Sequence, residues 1–239
     1  MNQQLSNSEG TSINITKVRG DLENIITNIE ETRLPERAYQ ILRLAIRDLK
    51  LMPGKTILER EMAEVLEMSR TPVREALVRL QTEGVVKLIP RKGFTVEPIE
   101  RDDLRETYEI VEVLEGLAAS IATSKVENID LEELESLVVS QEEALKENDL
   151  ESWAKLDDLF HLKIIKHANN KRLSSVIEIH ADQLYRARMF TISERPLPWQ
   201  SIVEHRAILA CMRAKDNKAA ELSMQSHRKR ARNEILKAL

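Results

Sequence analysis

The sequence predicts a mainly α protein in two parts: a small domain of short helices closed by a β-hairpin, then an antiparallel bundle of six helices. Two changes of pattern carry this prediction. Between residues 34 and 98 the apolar spacing switches from helical to strand-like, and from about Ile99 to the C-terminus it is helical throughout. Composition agrees. With 32% charged residues, 42% hydrophobic residues and only three Phe, three Tyr and two Trp in 239 residues, the cores must be built from Leu, Ile, Val and Ala packed between helices.

The first 33 residues form an arm. Met1–Ser12 is polar and predicted to be disordered. Ile13–Ile29 carries Ile13, Val18, Leu22, Ile25, Ile26 and Ile29, enough for a short helix that packs on the body of the protein or on a dimer partner.

A helix follows over Leu34–Leu51, with Ala38, Ile41, Leu42, Ala45, Ile46 and Leu49 as its stripe and Pro53-Gly54 as its stop. Glu59–Gly84 then reads as two short helices joined by a tight turn. Met62, Ala63, Val65 and Leu66 supply the apolar face of one, and Val73, Ala76, Leu77 and Leu80 that of the other. Ser69 is placed to cap the second helix, and Pro72 falls in its first turn, where a missing N–H costs no helical bond. Arg70, Thr71, Arg74 and Arg79 are left facing away from the core. Two solvated helices would look the same up to this point. After Gly84, however, Val85–Ile89 and Phe94–Val96 are short β-type runs around the basic turn Pro90-Arg91-Lys92-Gly93. Three helices and a hairpin with a cationic tip make a winged helix-turn-helix, which sets its second helix in a DNA major groove and its wing beside the backbone.

Charge is distributed to match. The chain carries −4 overall, but residues 34–98 carry +3, against −2 for residues 1–33 and −5 for residues 99–239. The positive excess lies on the part that would meet phosphates.

In the second part, six helices are predicted at roughly 101–125, 130–147, 150–168, 171–191, 199–214 and 216–237. All five histidines lie here: His161, His167, His180, His205 and His227. Asp157 and His161, four apart, share a helix face, while His205 and His227 sit beside apolar residues on the last two helices. One carboxylate and three imidazoles suit zinc, nickel or manganese with coordination positions left open. On spacing alone, hydrogen-bonded core or surface histidines remain the more ordinary explanation. The lone Cys211 excludes a disulfide framework and suits a reducing cytoplasm, and no apolar run is long enough to span a membrane.

Longer motifs carry a resemblance. The run LMPGKTILEREMAEVLEMSRTPVREALVRLQTEGVVKLIPRKGFTV resembles the DNA-binding domain of the GntR family of bacterial transcription regulators. The resemblance implies DNA contacts from Arg60, Ser69, Arg70, Thr71, Arg74, Lys92 and Gly93, with Gly93 letting the wing backbone approach the groove. Glu67 stands where the family usually has glycine. Further on, Asp157-Asp158-Leu159-Phe160-His161, Asn170, Glu204–Leu209 and Ser226-His227-Arg228 resemble the FCD effector domain of the FadR subfamily, six helices suiting its VanR-like branch. There an Asp and three His hold a metal to which the effector binds, and the matching positions are Asp157, His161, His205 and His227. His167 and His180 fall outside the pattern. The arginine that such domains often carry in their first helix is replaced by Val111, which leaves Arg186 and Arg188 of the fourth helix as candidates for an anionic effector, unless they are surface residues.

The reading is a dimeric, ligand-responsive, metal-containing repressor of a short palindromic operator, not an enzyme. A small-molecule effector such as an organic acid would act through the 98–104 linker. A metal-dependent hydrolase using the Asp/His cluster, or a regulator with no metal, are the alternatives.

Overall fold

A computed structural model describes residues 15–239. The chain divides into two compact units, Met1–Pro98 and Ile99–Leu239.

In the first unit, α1 (Ile15–Asn28), α2 (Leu34–Arg47), α3 (Glu59–Leu66) and α4 (Arg70–Thr82) pack with a three-stranded antiparallel sheet of β1 (Thr56–Ile57), β2 (Val86–Ile89) and β3 (Gly93–Val96), in the order β1-β3-β2. The predicted apolar stripes of α2, α3 and α4 all enter one core with Ile57, Val86, Phe94 and Val96. Three features differ from the sequence expectation. First, α2 ends at Arg47 rather than Leu51, because Leu49 takes a left-handed conformation at φ 57°, which no helix continues through. Second, β1 completes the sheet; two residues are too short for an alternation signal.

Third, the arm is part of the winged unit. Leu22 is fully buried and Ile29 nearly so, within the same core as α2–α4, and α1 packs on α3 and α2. The arm therefore resolves to the first of its two options, packing on the body. The disorder expected of Met1–Ser12 lies outside the described residues. A link from α1 also reaches the helix-turn-helix turn. Glu67 is left-handed (φ 54°), as its glycine-like position required, and its carboxylate is paired with Arg19.

The second unit is a bundle of α5 (Arg101–Thr123), α6 (Asn128–Lys146), α7 (Leu150–His167), α8 (Lys171–Thr191), α9 (Trp199–Arg213) and α10 (Asn217–Lys237), with one 3-10 turn at Ile192–Glu194. Asp149, Asn170 and Asp216 cap α7, α8 and α10 through their side chains, accepting from Ser152, Leu173 and Ala219. α5 packs along α10, and α6 lies between α7 and α9. The 98–104 connection proves shorter than expected, since α5 begins at Arg101. Among the described residues no helix is long and apolar enough to cross a membrane.

If α1 is structural to the winged unit, Leu22→Ala should cost about 2–4 kcal/mol of stability, as truncation of a fully buried leucine does. The exposed Thr16→Ala in the same helix should be near neutral. Urea unfolding of the two variants makes the comparison, and equal midpoints would contradict the packing.

Candidate functional site

The N-terminal turn of α4 is presented to solvent. Ser69 occupies the N-cap position with extended backbone but its side chain makes no capping bond. Thr71 is exposed, and the Arg70 and Arg74 side chains are 67% and 68% exposed. Both lean on Glu59, at 3.5 and 3.8 Å, loose contacts that a phosphate or a base edge could replace. Arg60 and Lys92 are exposed too. Arg79 is engaged within the unit: it lies 3.5 Å from the Tyr39 ring centroid and pairs with Glu36 at 2.8 Å. For Gly93 the structure supplies a reason that needs no DNA. At φ 94°, a Cβ there would sit 2.7 Å from the Ile57 carbonyl oxygen, so glycine is what lets β3 pass β1.

In the bundle, Asp157 and His161 on α7, His205 on α9 and His227 on α10 converge. All four are buried, and one ligand atom from each lies within 4.8 Å of the others. Neither His167 nor His180 belongs to this group. The imidazoles pack ring to ring, His161 and His227 stacked at 5.1 Å between centroids, and Phe160 stacks on His205 at 4.2 Å.

The outer nitrogens set the tautomers. Gln141 donates its amide N–H to the Leu156 carbonyl at 3.2 Å, which turns its Oε1 toward His205 Nδ1 at 2.9 Å. His205 must therefore donate from Nδ1. His227 Nδ1 donates to the Glu204 carboxylate at 2.8 Å, and His161 Nδ1 lies 2.9 Å from Glu115 Oε2, though off the line of a good hydrogen bond. With Nδ1 protonated in each neutral ring, the Nε2 lone pairs face inward. Those of His161 and His205 have no hydrogen-bond partner. Two such orphaned acceptors beside a carboxylate fit a metal ion well.

Electrostatics keep the donors in metal-binding form. Burial pushes the histidines below their ordinary pKa, and repulsion between positive charges adds to this: from Arg228 for His161, and for His205 from a His227 that would have to be protonated as well. For His227 the bond to Glu204 opposes the burial in part. Burial would raise Asp157, but the Arg188 guanidinium at 2.7 Å holds the carboxyl well below the usual range. Glu204, also partly buried, is drawn to about 2 by its bonds from His227 and Arg230.

Arg186 and Arg188 are both buried, not surface residues. Arg188 lines a narrow cavity beside the cluster, with Asp157 and His227; Arg186, two residues away and so across the helix, does not. The supporting residues Gln141, Glu115 and Glu204 were not predicted. Glu204 stands next to His205, but its partner His227 is 23 residues further on, and Glu115 meets Arg228 across 113 positions. No short-range spacing announces such pairs.

A winged domain with an arginine-led second helix, followed by a helical domain with a buried Asp/His₃ cluster, is the build of a transcriptional regulator. Residues 34–96 match the bacterial regulatory proteins of the gntR family, and residues 106–230 match the FCD domain. The chain belongs to the GntR family and carries an FCD domain. Among curated relatives, it is 40% identical over 133 residues to an uncharacterised HTH-type transcriptional regulator from the TAR-I ttuE-ttuC' intergenic region of Agrobacterium vitis, covering 54% of this chain and 77% of the relative. It is 27% identical to the HTH-type transcriptional repressor RspR of Escherichia coli, covering 80% and 84%. Among solved structures, E. coli McbR/YncC superimposes with a TM-score of 0.76 at 25% identity, covering 87% of this chain and 99% of that one. The protein is a transcriptional regulator of the GntR/FCD type.

The depressed histidine pKa values give a pH dependence of known sign. The unfolded chain takes up protons near the ordinary value of about 6.5, whereas the folded cluster resists them. This contribution to stability is therefore complete above about 6.5 and is lost as pH falls below it, at about 1.4 kcal/mol per pH unit for each proton withheld. The carboxylates add their loss only at lower pH. Chelated protein should show a melting temperature that falls between pH 7 and 5.5. A flat profile there would mean that the rings are protonated in the fold.

Proposed function

We propose that this regulator is a repressor that binds a short palindromic operator as a homodimer in the cytoplasm, and that a small metabolite controls it through a metal centre in the FCD domain. The observation that carries the ligand half of this reading is the pair of buried Nε2 atoms of His161 and His205, neither of which makes a hydrogen bond, beside Asp157. Support for repression comes from RspR, which is named a repressor. A dimer follows from the symmetry of the task, since two winged domains related by a two-fold axis read two half-sites.

Arg70, Thr71 and Arg74 would meet base edges and phosphates from α4, Ser69 and Arg60 would add backbone contacts beside it, and Lys92 would reach a phosphate from the wing. In the bundle, Asp157, His161, His205 and His227 would hold zinc, nickel or manganese, and such an ion supplies a Lewis-acid contact for an anionic ligand. The charge balance favours an organic acid. Asp157, Glu115 and Glu204 are matched by Arg188, Arg228 and Arg230, each pair in direct contact, so a divalent cation adds uncompensated positive charge that an acid would offset. The acid's differential affinity for two arrangements of the dimer shifts operator affinity by a coupling of about 1–3 kcal/mol. A hydrolytic role for the cluster would leave the winged unit without a purpose, and none is assigned.

Two experiments test this reading. Arg70→Ala and Arg74→Ala should each weaken operator binding by about 1–3 kcal/mol in fluorescence anisotropy while the circular dichroism spectrum stays that of the wild type. Wild-type affinity in both would remove α4 as the reading helix. Elemental mass spectrometry of untagged protein should find about one divalent ion per chain, absent from His161→Ala/His205→Ala. No ion in the wild type, and no stabilisation by added zinc, nickel or manganese, would leave a regulator without a metal.

A further inference from the structure

Two carboxylates mark the ends of α3. Glu59, at its start, is approached by Arg70 and Arg74 of α4. Glu67, just past its end, is paired with Arg19 of α1, 48 positions earlier in the chain. Glutamate is an unusual residue for that place. At φ 54° and ψ 42° the backbone is left-handed, a conformation that glycine adopts freely and a side chain with a Cβ adopts at a cost. The Glu67 side chain is 69% exposed and that of Arg19 37%, so the pair lies in solvent, where an ion pair contributes little to stability. Neither the backbone nor the stability of the fold accounts for a glutamate answered by an arginine here.

Its location does. In a helix-turn-helix the first helix crosses the DNA backbone and the second enters the groove, which brings the turn between them close to phosphates. Glu67 stands in that turn, two residues before Ser69 and three before Arg70. A lone carboxylate there would repel the backbone it has to approach, over a range of about 8 Å at physiological salt. Protonation gives no relief, because the bond from Arg19 holds the Glu67 carboxyl below its ordinary pKa. The arginine itself must cancel the charge. It is well placed to do so, since Leu22, one turn further on, is fully buried in the core of the winged unit, with Val18, Ile25 and Ile26 packed against the same core.

We infer that Arg19 is a positioning residue for operator binding: it neutralises Glu67 in the α3–α4 turn, so that the turn can lie against the DNA backbone while α4 enters the groove. Through this contact α1 belongs to the DNA-binding apparatus as well as to its core. The inference rests on the reading of α4 as the helix that enters the groove, and adds to it a residue outside the segment 34–96 that matches the family.

A double-mutant cycle on the full chain tests this, read by fluorescence anisotropy with a duplex that the wild-type protein has selected from randomised DNA. Arg19→Ala should bind that duplex about threefold or more weakly at low salt, and the deficit should shrink as salt is raised, because an exposed charge is screened. Glu67→Gln, which leaves Arg19 uncompensated, should bind at least as tightly as wild type. Combined with Arg19→Ala, it should restore wild-type affinity. All three variants should melt close to the wild type, since an exposed pair contributes little to stability. Wild-type affinity in Arg19→Ala would overturn the inference. So would a deficit that Glu67→Gln fails to rescue or that salt leaves unchanged, because Arg19 would then touch DNA itself or only hold α1 in place. Arg70→Ala on the same duplex keeps the two readings apart. If it binds weakly while Arg19→Ala does not, α4 remains the reading helix and only the role of Arg19 falls; if neither variant weakens binding, the assignment of α4 falls as well.

Discussion

Three imidazoles and a carboxylate are buried together, and the rest of the bundle is arranged to make that tolerable. Buried polar groups are costly unless each donor and acceptor is answered. Here Gln141 and Glu204 answer the outer nitrogens of His205 and His227, Glu115 lies 2.9 Å from that of His161 without a well-aligned hydrogen bond, and Arg188 answers Asp157. Each partner is tied down in turn, Gln141 by the Leu156 carbonyl, Glu204 by Arg230 and Glu115 by Arg228. The outcome is that α5, α6, α7, α8, α9 and α10 all place at least one side chain in a single polar network. At its centre the Nε2 lone pairs of His161 and His205 are left without a hydrogen bond, that of His205 lying 3.6 Å from Asp157 Oδ1.

The winged unit works under the opposite constraint. At the start of α4, Arg70 and Arg74 are exposed and only loosely paired. Glu59 faces both Arg70 and Arg74, which keeps a locally basic surface from being wholly unbalanced, yet at 3.5 and 3.8 Å it makes no strong claim on either. Arg79 lies five residues beyond Arg74 on the same helix and is committed to Tyr39, Glu36 and Glu83. The division follows from the position on α4: the N-terminal turn is presented outward, and the C-terminal end is buttressed against α2. Charge of one sign thus serves two purposes on one helix.

How much of this the sequence disclosed depends on the distance over which each feature is encoded. Helices and their stops are written locally, in the spacing of Ala38, Ile41 and Leu42 or in a capping Asp149, and they were legible to within a few residues. The four cluster positions were legible too, because Asp157 and His161 sit one turn apart and His205 and His227 recur in longer motifs. Gln141, Glu204 and Glu115 were not, since each meets its histidine across a helix–helix interface that no periodicity reports. The role of α1 was ambiguous for a related reason. Its apolar stripe shows that something is to be covered but does not say what, and only the packed core of α2–α4 decides it.

The connectivity limits how the two halves can communicate. The covalent route from the bundle to the winged unit runs through Glu97–Glu100 into α5. α5 is 23 residues long, close to 35 Å at 1.5 Å per residue, and it behaves as a single strut. Along that strut Tyr108 lines the cavity, and Glu115 holds Arg228 of α10 in contact beside His161 of α7. Cavity wall and cluster therefore meet α5 at two points, about two turns apart, on the helix that follows directly from the winged unit.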